Sequence, residues 1–451
     1  MALRRFGVVG VVGALALVLA ACGGNDGPSG TQSGTTAGSS ESGSATGEGD
    51  GDVVALTFWG KSQGQSAQVD LWNETHPDVQ VTYVEQGGDA DLLTAIQNSI
   101  KGGNAPDLSE LPRTNAVSLV VEGATQDISE WFTDTSAFSP GAAEFVQVGG
   151  VTVGVPYATN PTFNAVNTTT FERFGLEPAD TWPEVIEQAK TMAAEGVKSF
   201  NLPGEDASYL RDFATQLGAE WWSAEGDGWR IGFTSEESLA AADLLQEIID
   251  NDLNSTHTYI EWDALMQFFA SGDLSQFTTS TWQLPVYEEN FASSVGDWKL
   301  YPYPKASADA ELVSPSYYNI LGIMSTSEHP AQAVEFATWL ATDPAALAIS
   351  ASPTEGSASF PVVTDPSPYI DQLLPVNLLG DTRADAPAVV IEAAATARSM
   401  KEGPNQAAAD GELAGWWGKA VAKQVTVREV LEHMQQWVVD DLTAKNINVV
   451  E

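Results

Sequence analysis

The chain has 451 residues, 43% of them hydrophobic, with 61 acidic and 19 basic residues and a formal net charge of −42. So acidic a chain argues against nucleic acid or an anionic lipid surface as a partner, since both call for a basic footprint. There is a single cysteine, Cys22, so no intrachain disulfide can form and stability has to come from core packing.

The first elements form an address. Arg4 and Arg5 precede an apolar stretch from Val8 to Ala21 that is too short for a membrane span of about 20 residues. It ends in Leu19-Ala20-Ala21-Cys22, which resembles the bacterial lipobox. The resemblance implies that residues 1–21 are a signal removed on secretion and that Cys22 is lipidated. The chain would then be anchored in the cell membrane on its extracellular face, touching the bilayer through the lipid alone. Losing the signal removes two basic residues and no acid, leaving a charge of −44. Residues 23–52 hold no aromatic and no branched aliphatic residue. They cannot bury enough apolar surface to offset their ordering entropy. They are expected to be a disordered tether spanning on the order of 30 Å.

The body, from Val53 onward, is long enough for two domains. Val53 to Trp59 reads as a β-branched, apolar strand, residues 65–75 as a helix ending before His76-Pro77, and Val79, Val81 and Tyr83 as an alternating strand. Asp91 to Lys101 reads as a helix stopped by Gly102-Gly103, and Pro106-Asp107-Leu108 opens a third strand. This alternation is the signature of a parallel sheet, whose ligands gather at the carboxyl ends of the strands. Those ends fall at Trp59-Gly60-Lys61 and at Glu110 to Arg113. Thr181/Glu184 and Thr234/Glu237 have capping-box spacing. Ala241, Leu244, Leu245, Ile248 and Ile249 share one helix face, as do Ala333, Phe336, Ala337 and Leu340.

Catalytic signatures are missing. The four histidines are scattered and lack metal-ligand spacing, so neither a metal nor a cofactor is expected. There is no nucleophile elbow and no phosphate-cradling loop. With 61 acids, some carboxylate pair always exists, so no glycosidase pair can be singled out. The acids are spread along the whole chain, a pattern that suits a solvated surface at high ionic strength better than one cation-binding patch. Aromatics are abundant, with 14 Trp. Their faces suit the C–H faces of sugars, and a concave site of aromatics with a few polar groups is the general small-ligand site.

Several motifs occur in a family's order: Leu56-Thr57-Phe58-Trp59, then Gly103-Asn104-Ala105-Pro106-Asp107-Leu108, then Val153-Gly154-Val155-Pro156-Tyr157. Phe171-Glu172, Gly175-Leu176, Pro178 and Thr181-Trp182 follow. Phe269-Ala270-Ser271-Gly272-Asp273, Thr281-Trp282, Trp298 to Pro304 and Ile323 to Leu340 complete the set. Together they resemble the extracellular solute-binding proteins of carbohydrate ABC importers, the class that includes maltose-binding protein. The resemblance implies an α/β, two-lobed periplasmic-binding-protein fold of type II, with a hinge and an interlobe cleft. The first lobe would be 53–160 plus 302–341, and the second 161–301 plus 342–451. It further implies a monomer that binds a sugar, makes or breaks no bond, and delivers its ligand to permease subunits.

Carried over, Trp59 would support the cleft floor, and Glu110 and Arg113 would bind hydroxyls from the loop after the third strand. Asn160 would offer its amide at the first crossing, while Tyr209, Trp282 and Trp416 would stack. Tyr317 and Tyr318 precede a strand that relatives often begin with glycines. Tyr318-Asn319 stands there instead, which suggests an aromatic wall. Two alternatives stay open: the same fold binding a polyamine, and a secreted glycoside hydrolase.

Overall fold

The computed structural model describes residues 53–111 and 115–450. The 1–21 signal, Cys22, the tether and Arg113 lie outside the described residues. Val54–Gly60 pairs in parallel with Val79–Glu85 on one side and with Leu108–Glu110 on the other. Helices Gln65–Thr75 and Asp89–Gly102 connect these strands, as the alternating pattern requires. The second helix starts two residues before the expected Asp91. This places Asp89 in the first turn, where the helix dipole favours an acid. It ends at Gly103, whose φ of 67° lies in the left-handed region that glycine adopts without strain.

Three later strands complete this first sheet. Tyr318–Ile323 runs antiparallel between Leu108–Glu110 and Val155–Thr159, and Phe360–Pro361 pairs with the outer edge of Val155–Thr159. Helix Pro330–Thr342 packs on the sheet and buries Ala333, Phe336, Ala337 and Leu340 completely, the stripe read from the sequence.

The second lobe is built on the antiparallel strands Phe163–Asn167, Gln276–Thr279 and Trp298–Tyr301. Two apolar cores flank its elements. One packs Trp182 and Phe213 with the helices Glu236–Asp250, Gln406–Val421 and Val427–Ala444. The other gathers Phe163, Phe277, Phe291 and Trp298. Helix Trp182–Ala193 begins after Thr181, and Thr181 Oγ1 donates to Glu184 Oε2 (2.7 Å) without capping a backbone N–H. The cap expected at Thr234 is instead Ser235, whose Oγ accepts the Ser238 N–H (3.2 Å). A full capping box lies at Thr426/Glu429.

The lobe borders differ from the expected ones. Tyr303 packs edge-on to Trp182 in the second lobe (ring centroids 5.1 Å apart), whereas the backbone of Phe360–Pro361 and the side chain of Val362 join the first, with the Phe360 ring in a second-lobe core. Motifs mark the strands, but the coil between them joins whichever core it can bury against. The crossing segments run side by side. Asn160 N–H donates to Tyr317 O and Thr162 N–H to Pro315 O (both 2.9 Å), and Ser314–Pro315 pairs with Ala397–Arg398.

Candidate functional site

A concave site of about 390 Å³ opens beside the crossing segments. Asn160, Thr162 and Tyr317 come to it from the crossings, and its other walls are second-lobe elements. One wall is the start of helix Ser208–Leu217, with Asp206, Tyr209 and Asp212. Another is the strand and turn carrying Phe277, Thr278, Trp282 and Gln283. A third runs from Tyr259 through helix Trp262–Ala270.

That helix turns Leu265, Met266, Phe269 and Ala270 inward. Phe269 then stacks on Phe277 (4.9 Å, 30°), and Phe277 meets Tyr287 edge-on (4.9 Å, 73°). The back of the site is therefore a fixed aromatic cluster. The rim differs: Tyr259 is 45% exposed, Trp262 41% and Trp282 40%. Large aromatics left this open at a cavity mouth are free to cover an apolar face of a ligand.

The polar groups of the site are neutral hydroxyls, amides and two carboxylates. Burial pushes the Tyr209 hydroxyl up to about 12, against the opposing effect of its hydrogen bonds to Thr278. Tyr287 is raised further, again chiefly by burial. Tyr259 is raised by burial and by Asp206, although the residue as a whole stays partly open. All three phenols keep their protons at physiological pH and can donate. Tyr317 Oη donates to Asp212 Oδ1 (2.5 Å). Among the described residues lining the cavity there are two carboxylates, Asp206 and Asp212, and no Lys, Arg or His.

Of the residues singled out from the sequence, the structure brings together Asn160, Tyr209, Trp282 and Tyr317. The others lie elsewhere. Tyr318, the first residue of strand Tyr318–Ile323, does not line this cavity. It packs on Phe145 (4.7 Å) and lines a separate small cavity. Trp59 is half-buried against the first-lobe core. Glu110 is fully buried. It accepts from Lys61 N–H (3.3 Å), Ser62 Oγ (3.0 Å), Gln65 Nε2 (2.9 Å) and Asn319 Nδ2 (3.3 Å). Its acceptor sites are used within its own lobe. Trp416 stacks on His433 (3.9 Å) with Lys419 over its ring (4.0 Å), away from the cavity. Its neighbour Trp417 is the buried one, donating to Pro203 O (3.0 Å). Arg113 is outside the described residues. Sequence reasoning missed Asp206, Tyr259, Trp262 and Tyr287. The pair Tyr259/Trp262 just ahead of an amphipathic helix was the available signal.

The model of the family described as bacterial extracellular solute-binding protein matches residues 60–347, more than half of the chain. The chain belongs to this family. The new solute-binding protein is 23% identical over 252 residues to the sn-glycerol-3-phosphate-binding periplasmic protein of Salmonella paratyphi A, covering 49% of this chain and 58% of that one. It is 24% identical over 281 residues to a lactose-binding protein of Rhizobium radiobacter, covering 58% and 63%. The chain thus matches about three-fifths of the length of these relatives. Among solved structures it is similar to the galacto-N-biose/lacto-N-biose I-binding protein of a Bifidobacterium longum ABC transporter, described in complex with lacto-N-biose. The TM-score is 0.73 at 22% identity, over 89% of this chain and 100% of that one. It is also similar to the GacH receptor of Streptomyces glaucescens, with a TM-score of 0.67 at 18% identity over 86% and 97%. The two-lobed solute-binding fold is therefore that of this solute-binding protein.

Proposed function

We propose that the protein captures a neutral sugar in the aromatic cleft and delivers it to the permease of an ABC importer, making and breaking no covalent bond. The observation that carries this reading is the open aromatic rim of Tyr259, Trp262 and Trp282 over a buried, hydroxyl-bearing floor. Trp262 and Trp282 stack on the sugar's C–H faces. Tyr209, Asn160, Gln283 and the two carboxylates take its hydroxyls. The first lobe closes over the ligand by rotation about the crossing segments. Cys22 and the tether keep the body at the outer face of the membrane. Metabolic labelling with a fatty acid, lost in Cys22→Ser, tests that anchor.

A second reading is supported by Asp206 and Asp212, which would suit the amines of a polyamine. The deciding experiment is a thermal-shift series with neutral di- and trisaccharides, polyamines and sn-glycerol 3-phosphate. A ligand at a hundredfold its Kd adds about 2.7 kcal/mol to stability. We expect that gain with at least one neutral sugar and none with the phosphate ester. A gain with polyamines alone overturns the sugar reading.

A further inference from the structure

The lobes also touch at a seam separate from the aromatic cleft. Residues 403–405 are tied to the second lobe. Trp222 Nε1 donates to Asn405 Oδ1 (3.3 Å), Asn405 Nδ2 donates to Asp441 Oδ2 (2.8 Å), and Gly403 N–H donates to Gln406 Oε1 (3.1 Å). A Cβ on Gly403 would lie 2.3 Å from the Trp222 ring, so the backbone is pressed against that lobe. Glu402, next to Gly403, reaches the other way. Its Oε2 accepts the N–H of Val117 at 3.1 Å, and the Ala116 N–H also bonds to its carboxyl. Ala116 and Val117 begin the first-lobe helix Ala116–Val121 and are buried in that lobe's core. Glu402 itself is only 5% exposed.

We propose that Glu402 is a latch across this seam and that its proton sets how readily the lobes part. Burial, the largest influence, pushes its carboxyl up to about 7. The Val117 N–H lowers it, Asp410 raises it, and Arg211 and the Ala116 N–H lower it. Arg211 is itself paired with Asp410. Asp212 lies beside Arg211, and Lys401 faces Glu144 of the first lobe at 3.9 Å. Arg113, three residues before Ala116, is outside the described residues.

When the lobes part, Glu402 meets water and its carboxyl returns toward the ordinary range near 4.3. The latched form therefore holds the proton more tightly than the parted form. By linkage, acid favours the latch and rising pH favours parting. The latched-to-parted ratio should fall about tenfold between pH 6 and pH 8. The latch is also close to the ligand site. A small cavity of about 20 Å³, room for about one water, is lined by Glu402, Arg211, Asp212 and Tyr317. The last two also line the aromatic cleft.

The test uses the full chain without ligand, with Cys22→Ser and dyes at Lys101→Cys in the first lobe and Glu236→Cys in the second. Single-molecule energy transfer is recorded from pH 6 to pH 8. The population ratio should shift about tenfold, and the shift should vanish in Glu402→Gln, which stays neutral. It should persist in Lys401→Ala, which removes only the exposed pair. An undiminished pH response in Glu402→Gln, or none in the parent chain, overturns the proposal. A melting curve checks that Glu402→Gln is folded. If it is not, Glu402→Asp, too short to reach Val117, should favour the parted form and lose most of the response. An unchanged Glu402→Asp response refutes the latch.

Discussion

In the first lobe, the polar group at the end of the third strand is turned inward: Glu110 is fully buried and meets four donors of its own lobe. In the second lobe, the aromatic rim of the cavity faces outward. Trp262 and Trp282 keep two-fifths of their surface open, and the carboxylates of Asp206 and Asp212 line the cavity. Both lobes offer chemistry that could bind a sugar, yet only one presents it to solvent. A carboxylate already satisfied by its own lobe has nothing to gain from a ligand, whereas an exposed aromatic gains by being covered. On the proposed function, the second lobe would supply the recognition surface and the first lobe a rigid cover.

The sharpest way to break this contrast is to remove one residue from each side. Glu110→Ala leaves buried donors around residues 61–65 and Asn319 without their acceptor. An unsatisfied buried group costs about 1–3 kcal/mol. We expect the midpoint of denaturant unfolding to fall by an amount equivalent to about 3 kcal/mol, with ligand affinity of the folded protein unchanged. A large affinity loss with intact stability would instead place Glu110 in the binding site. Trp282→Ala should do the reverse. Titration calorimetry should show affinity weakened roughly ten- to a hundredfold, the size of an interface hot spot. Stability should change by less than about 0.5 kcal/mol, as for an open surface position.

The phenols sharpen the contrast through pH. Tyr209 titrates near 12 in the folded protein, above its ordinary value near 10. A folded-state value above the unfolded one means a stabilising contribution that is complete below pH 10. It is lost as pH rises toward 12. Alkaline melting should therefore show the midpoint falling between pH 10 and pH 12. Tyr209→Phe should reduce that slope, because Phe has no proton to lose. Tyr83 and Tyr318, also raised to about 12 by burial, contribute the same slope in the first lobe and should leave part of it in place. Ligand affinity should stay flat from pH 6 to pH 9 in Glu402→Gln, where the phenols remain protonated throughout.

Local structure was largely legible in the sequence, and the direction a side chain faces was less so. Strand Val54–Gly60 and helix Gln65–Thr75 follow from β-branched runs and from the stop at His76-Pro77. Tyr209 and Trp282 follow from position within recognisable motifs. What failed was the choice between adjacent residues. Tyr317 and Tyr318 are equally aromatic, but only Tyr317 lines the cleft, while Tyr318 packs on Phe145. Glu110 sits where a ligand contact was expected, but its partners Gln65 and Asn319 are 45 and 209 residues away. Long-range pairing of that kind leaves no local trace. Tyr259 and Trp262 were hidden for the opposite reason. They stand in a short turn and at the first residue of the helix after it, with no motif around them, and only the cavity gives their exposure a meaning.

The pair Trp416 and Trp417 yields the smallest effect and tests the same lesson. One helical step rotates a side chain by about 100°, so two neighbouring tryptophans cannot both face the core. Trp417 is buried and hydrogen-bonded to Pro203 O. Trp416 is half-buried at the edge of that core, stacked on His433, whose Nε2 is 2.6 Å from Glu412 Oε1. Its stacking and cation–π contacts contribute about 0.5–1 kcal/mol. Trp416→Ala should therefore lower stability by no more than about 1 kcal/mol in denaturant unfolding and leave sugar affinity within twofold. If affinity instead fell as far as in Trp282→Ala, the ligand would have to reach the helix Gln406–Val421, and the aromatic rim would be only part of the site.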